Sequence, residues 1–237
     1  MKKLISILAL LLIATTLFAN PTVKIGGAFI LTNQSIYQED DSWFRDGIAF
    51  NAQGFGLEIG AYTEISDNFM VYAQANMVFP KDGMGLDKSI SDEWYELSLE
   101  ENLSIHLYSA GVGFAYKFGT EALRGAVGIG PVYNSSVIKY DTDEFTANMV
   151  TQKTTINNIG IGAFLDFRYV LNKKIQIGLS ANPQIGLYNM ANVVFTDSKG
   201  KSVTDEALAH EGVTKAKVQG FITTYAFPVS FGVSYTF

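Results

Sequence analysis

The last stretch of the chain, Ala216 to Phe237, alternates with a period of two residues. Phe221, Thr223, Tyr225, Phe227, Val229, Phe231, Val233, Tyr235 and Phe237 share one face. Gly220, Ile222, Thr224, Ala226, Pro228, Ser230, Gly232, Ser234 and Thr236 share the other. Successive strand side chains point to opposite faces, so one face is bulky and apolar and the other small or polar. A soluble sandwich strand alternates too, but it hides its apolar face under a second sheet. Here the same face recurs along the whole chain, and the last residue is aromatic. That pattern points to a sheet closed on itself with lipid outside.

Eight segments carry the period. They run from Val23 to about Ser35, Gln53 to Ile65, Phe69 to Phe79 and Leu103 to Phe118. The others are Arg124 to Tyr140, Thr154 to Leu171, Lys174 to Tyr188 and the closing stretch. Ser66-Asp67-Asn68, Gly119 to Leu123 and Asn172-Lys173 have the chemistry of tight turns. Between the other strands lie longer polar loops, so connections alternate long and short. Transmembrane barrels have short periplasmic turns and longer external loops. The expected fold is therefore an all-β, transmembrane, antiparallel up-and-down barrel of eight strands, with both termini periplasmic. A hairpin hidden in a long loop would make ten.

A chain of 237 residues fits one such barrel. Hydrophobic residues make up 48%, yet after residue 20 no run approaches the ~20 apolar residues of a spanning helix. Lys2 and Lys3 before an apolar run, Leu4 to Phe18, with Ala19 as a small residue for cleavage, read as a secretory signal peptide over 1–19. The competing reading is a retained helical anchor. The barrel domain is then 20–237. No cysteine is present, so no disulfide framework or lipidated cysteine is expected. Loss of Lys2 and Lys3 takes the formal charge from −6 to −8. With no basic stripe, nucleic acid is an unsuitable partner.

By parity the outward face carries Phe69, Tyr116, Phe118, Tyr169, Tyr235 and Phe237 near the short-turn rim. They read as an aromatic girdle, with plain strand propensity as the competing account. The inward face carries Lys24, Glu58, Glu64, Lys117, Arg124, Asp166 and Arg168. Most lie toward the short-turn ends, and buried charges need partners or water. They are expected to pair as a plug in the periplasmic half of the lumen, either as a structural core or as a gate. Inward glycines, among them Gly111, Gly113, Gly160 and Gly162, make room for Tyr62, Tyr72, Phe164 and Tyr188, ease curvature or leave a cavity. Packing and curvature are the expectation.

Chemistry is sparse. Ser104, His106 and Glu101 sit near the outer rim, but neighbours two apart on a strand are common by chance, so no catalytic group is assigned. His106 and His210 cannot assemble four metal ligands by spacing. Asp82, Asp87, Asp92, Glu93, Glu96, Glu100 and Glu101 make an acidic loop without EF-hand spacing, and it reads as a solvated loop. No cofactor is expected.

The ending Val229-x-Phe231-x-Val233-x-Tyr235-x-Phe237 resembles the C-terminal assembly signal of bacterial outer-membrane barrels. With the leader and the eight-strand rhythm, the mature chain resembles the small outer-membrane β-barrel family, which groups adhesin-like, OmpA-type and OmpW-type barrels. The resemblance implies residence in the outer membrane among its lipids, delivery by the barrel-assembly machinery through the C-terminal strand, and no shared catalytic residues. The expected function is a structural or surface-interaction barrel with a closed, charge-plugged lumen. The alternatives are a narrow passive channel for small apolar molecules, which OmpW-type resemblance implies, and a lipid-modifying enzyme.

Overall fold

The computed structural model describes residues 21–36, 48–78, 104–142, 150–220 and 224–237. The signal-peptide reading over 1–19 and the acidic stretch from Asp82 to Glu101 lie outside these residues.

The alternating segments form strands β1 (Thr22–Ile36), β2 (Ile48–Glu64), β3 (Phe69–Val78), β4 (Ser104–Gly119), β5 (Leu123–Thr142) and β6 (Val150–Val170). They continue as β7 (Ile175–Ala181), β8 (Gln184–Asp197), a short helix α1 (Thr204–His210), β9 (Lys217–Gly220) and β10 (Thr224–Thr236). All pairings are antiparallel, and the ring closes where β1 pairs with β10, from Thr22↔Thr236 to Gln34↔Thr224. β6 pairs with both β7 and β8, so these two are one stave broken at Asn182-Pro183. β9 and β10 both pair with β8 and form another single stave. The ten strands are thus eight staves, a transmembrane-type up-and-down barrel.

Local chemistry fixes the short turns. Asn172 Oδ1 accepts from the N–H groups of Lys174 and Ile175, both at 2.9 Å, the side chain standing in for a backbone acceptor. Gly119 has φ 109°, and a Cβ there would strike the Leu123 carbonyl. The turns at Asn68, Thr120 and Asn172 join staves at one end of the barrel. Pro21 and Phe237 meet at that same end, the Phe237 N–H donating to the Pro21 carbonyl at 3.1 Å.

The outward face is apolar through the lower part of the barrel. Ile25, Phe55, Leu57, Phe114, Ile129 and Phe231 are all exposed, while the residues between them are turned inward. A tilted strand crosses a bilayer with about 9–11 residues, so roughly half of the 21 residues of β6 lie beyond it. There the pattern reverses. Thr151, Lys153 and Thr155 face outward and Val150 and Ile156 inward. The inner faces of β1, β3, β4, β6 and β8 build an apolar core from Ile30, Val78, Ile105, Leu107, Val193 and Phe195. Ala207 and Leu208 of α1 and Val213 cover it.

Two sequence expectations are corrected here. The seventh stave does not end at Tyr188; it runs to Asp197, so the first part of the last long loop is strand. Tyr188 is not in the lumen either. The register slips between Ile159 and Gly160, leaving Leu187 as an extra residue and pairing Tyr188 with the outward Ile159. A bulge of this kind moves every later side chain to the opposite face.

Candidate functional site

The barrel interior brings polar groups from several staves together, and its chemistry starts from parity. Lys24 of β1 and Glu58 of β2 both point inward, and Lys24 Nζ lies 2.9 Å from Glu58 Oε1 with both side chains buried. Lys24 also donates to Ser180 Oγ of β7 at 2.6 Å and Ser230 Oγ of β10 at 2.9 Å. Ser180 donates to Glu58 at 3.2 Å and lies 2.8 Å from Ser230 Oγ. The ammonium therefore has three oxygen partners, matching its three donors. Without them two charges in a dry interior would carry a desolvation penalty of several kcal/mol each.

Asp166 and Arg168, two apart on β6, form a second buried ion pair. Arg168 also donates to Gln176 Oε1 at 3.2 Å, reaches Met70 Sδ at 3.8 Å, and stands 5.0 Å over the Tyr62 ring. Met70 belongs to β3, so this contact crosses the lumen. Tyr72 of β3 and Phe164 of β6 also meet across it, stacked at 4.1 Å with an interplanar angle of 13°. The inward glycines serve this packing. A Cβ on Gly113 would lie 2.7 Å from the Tyr72 hydroxyl, and one on Gly178 2.6 Å from Arg168 Cγ.

Glu64, Lys117 and Arg124 do not join this interior. Lys117 Nζ is 2.8 Å from Glu64 Oε2, and Arg124 is 4.0 Å from Glu64 Oε1. The Glu64 and Arg124 side chains are 61% and 44% exposed, so they form a rim cluster at the short-turn mouth. Strand position alone does not separate them, since Arg124 lies in register with the buried Arg168; Arg168 reaches Gln176 and the Tyr62 ring inside, whereas Arg124 has Glu64 at the mouth. Parity alone ranks all seven charges alike and misses Ser180, Ser230 and Gln176. Their parity is inward too, but only the register sets Ser180 beside Asp166, and Ser230 and Gln176 face Ala28 and Val170.

On the outside wall, the lower aromatic residues contact one another. Phe69 and Tyr116 lie 5.6 Å apart, Phe118 and Phe167 6.0 Å, and Tyr235 and Phe237 5.0 Å, while Lys174 sits 5.7 Å from the Tyr235 ring. Along the closing strand, Phe231, Val233, Tyr235 and Phe237 are exposed and Val229 is half-buried on the same face. At the end of the barrel opposite the short turns Ser104 Oγ lies 3.2 Å from His106 Nε2. Glu101, the acid considered with them, lies outside the described residues. Among the described residues no group of three or more His, Asp or Glu side chains is placed to hold a metal ion.

No protein-family model matches the sequence, and no curated protein does. Solved structures do resemble it. The outer membrane protein OprG from Pseudomonas aeruginosa superposes with a TM-score of 0.53 at 13% identity, over 93% of this chain and 96% of that one. A major outer membrane protein from Thermus thermophilus gives 0.52 at 15% identity, over 89% and 99%. At this identity the likeness establishes the fold, which is that of the small bacterial outer-membrane β-barrels.

Proposed function

We propose that this chain is an integral outer-membrane barrel with a structural or surface-interaction role, its lumen closed by its own side chains and both ends facing the periplasm. The observation that carries this reading is the buried Lys24–Glu58 pair with its serine partners on β7 and β10. It is supported by the Tyr72–Phe164 stack and the Arg168–Met70 contact, which cross the lumen from β6 to β3. An eight-stave lumen is only wide enough for side chains to fill. Above that level the apolar core under α1 shields the same axis with different chemistry.

The short turns and the meeting of Pro21 with Phe237 favour the periplasmic orientation, since short connections face the periplasm in such barrels. The exposed Phe231, Val233, Tyr235 and Phe237 suit two partners in turn: the assembly machinery during insertion and lipid afterwards. The role is non-enzymatic in this reading.

Conductance of the refolded mature protein in a planar bilayer tests it. Silence, with a heat-modifiable band proving that the barrel has folded, is the expected result. Steady single-channel steps would overturn the closed lumen and favour a narrow passive channel, and Lys24→Ala should then change the current.

A further inference from the structure

Between the ion pairs and the apolar outer core the lumen holds a layer of carboxamides. Gln74 and Asn76 of β3, Asn134 of β5 and Asn182 at the β7–β8 break are only 2–5% exposed. The register sets Asn76 beside Ser109 of β4 and Ser109 beside Asn134, and sets Gln74 beside Gly111. From the break in the seventh stave, Gln184 donates to Ser109 Oγ at 2.9 Å, and Asn182 Nδ2 would lie 3.8 Å from a Cβ on Gly111. The four carboxamides thus converge on one level from three staves.

Gln74, Asn76 and Asn182 have neither side-chain N nor O in a hydrogen bond among the described residues, and Asn134 Nδ2 has none. Buried polar groups in folded proteins are almost always satisfied, and an amide left without a partner is costly. Apolar side chains would have packed this level without that cost, as they do in the outer core a few residues higher. The layer therefore has the character of a surface whose partner comes from outside the chain.

Each carboxamide offers one acceptor oxygen and an NH₂ donor. Neighbouring hydroxyls, which both donate and accept, complement that pair. Glu58 lies in register with Asn76 and is already matched by Lys24, so the floor of the layer has no free charge for an ionic ligand. Above the layer, α1 is bracketed by Gly200 at φ 78° and Gly212 at φ 67°, left-handed positions that glycine adopts without strain.

We propose that the carboxamide layer is a binding site for a small uncharged polyol, held between the Lys24–Glu58 pair and the apolar cap. The inference rests on the closed-lumen reading for its confinement. Saturation-transfer NMR on the folded barrel in detergent micelles tests it, with glycerol as the probe and glycerate as its anionic counterpart. Saturable glycerol binding is expected, with no glycerate binding and at least tenfold weaker glycerol binding in Gln74→Leu/Asn76→Leu. Absence of saturable glycerol binding would overturn the site, as would equal binding by the variant or equal binding of glycerate. Asn134→Ser, a milder change, is measured alongside and is expected to weaken binding severalfold even where the double variant fails to refold. Bilayer conductance separates the two readings. A conducting barrel that binds glycerol at these residues loses only the closed lumen, and a silent barrel that does not bind loses only the site.

Discussion

The lower and upper parts of this barrel are built from the same staves with opposite chemistry. Below, Ile25, Phe55, Ile129 and Phe231 face outward, while Lys24, Glu58, Asp166 and Arg168 are buried inside. Above, Thr151, Lys153 and Thr155 face outward, and Ile105, Leu107, Val193 and Phe195 are buried inside. The solvent outside accounts for the inversion. In lipid, an apolar side chain gains little by moving inward, so the wall is greasy and the interior can hold ion pairs and polar groups beside Tyr62, Tyr72 and Phe164. In water the hydrophobic effect returns, and the upper part buries its apolar residues as a soluble protein does. One strand passes from one regime to the other, and its sequence pattern turns over as it does so.

The comparison is best broken at the ion pair and at the apolar core. Lys24→Met leaves Glu58 buried without its cation and should destabilise the barrel by about 3–5 kcal/mol in urea titrations of vesicle-inserted protein. Lys24→Met/Glu58→Leu should recover most of that loss, because removing both charges removes the desolvation cost. A double variant no more stable than the single one would mean that the pair's hydrogen bonds, not its charges, hold the lower interior together. In the upper part, Phe195→Ala should cost about 3–5 kcal/mol through the cavity it leaves. Since that core faces water, the loss should be the same in thick and thin bilayers.

On the outer wall, Phe231→Arg should cost about 2–4 kcal/mol, as it puts a cation on the lipid face. Thr155→Arg, outward but beyond the belt, should stay within about 0.5 kcal/mol. Equal effects at the two sites in folding titrations would remove the boundary drawn between the regimes. The smallest effect belongs to the mouth: Lys117→Ala breaks a contact with a largely exposed Glu64 and should cost at most about 1 kcal/mol, declining with added salt.

Legibility in the sequence followed the same boundary. Within the lipid belt, strict alternation placed Lys24, Glu58, Asp166 and Arg168 inward and Phe231 outward, because lipid on one side leaves no freedom in which face is which. Beyond the belt that rule lapses. Asn189, Met190, Ala191 and Asn192 mix polar and apolar residues on both faces, so the stretch read as loop although it is strand. The extra residue Leu187 compounds the difficulty, since parity counted from Ile185 gives the wrong face for everything after it.

The sequence by itself determined the closed antiparallel sheet, the face that meets lipid and the presence of charges inside. Those follow from a period of two residues and from the requirement that every backbone group in a bilayer be paired. Tertiary structure decided which charges meet. Lys24 and Glu58 are 34 positions apart, and their partners Ser180 and Ser230 lie far along the chain. Only closure of the ring brings them within hydrogen-bonding distance. It also separated the buried pairs from the rim cluster: Arg124 and Arg168 share one register, yet Arg168 finds Asp166, Gln176 and Tyr62 inside while Arg124 finds Glu64 at the mouth.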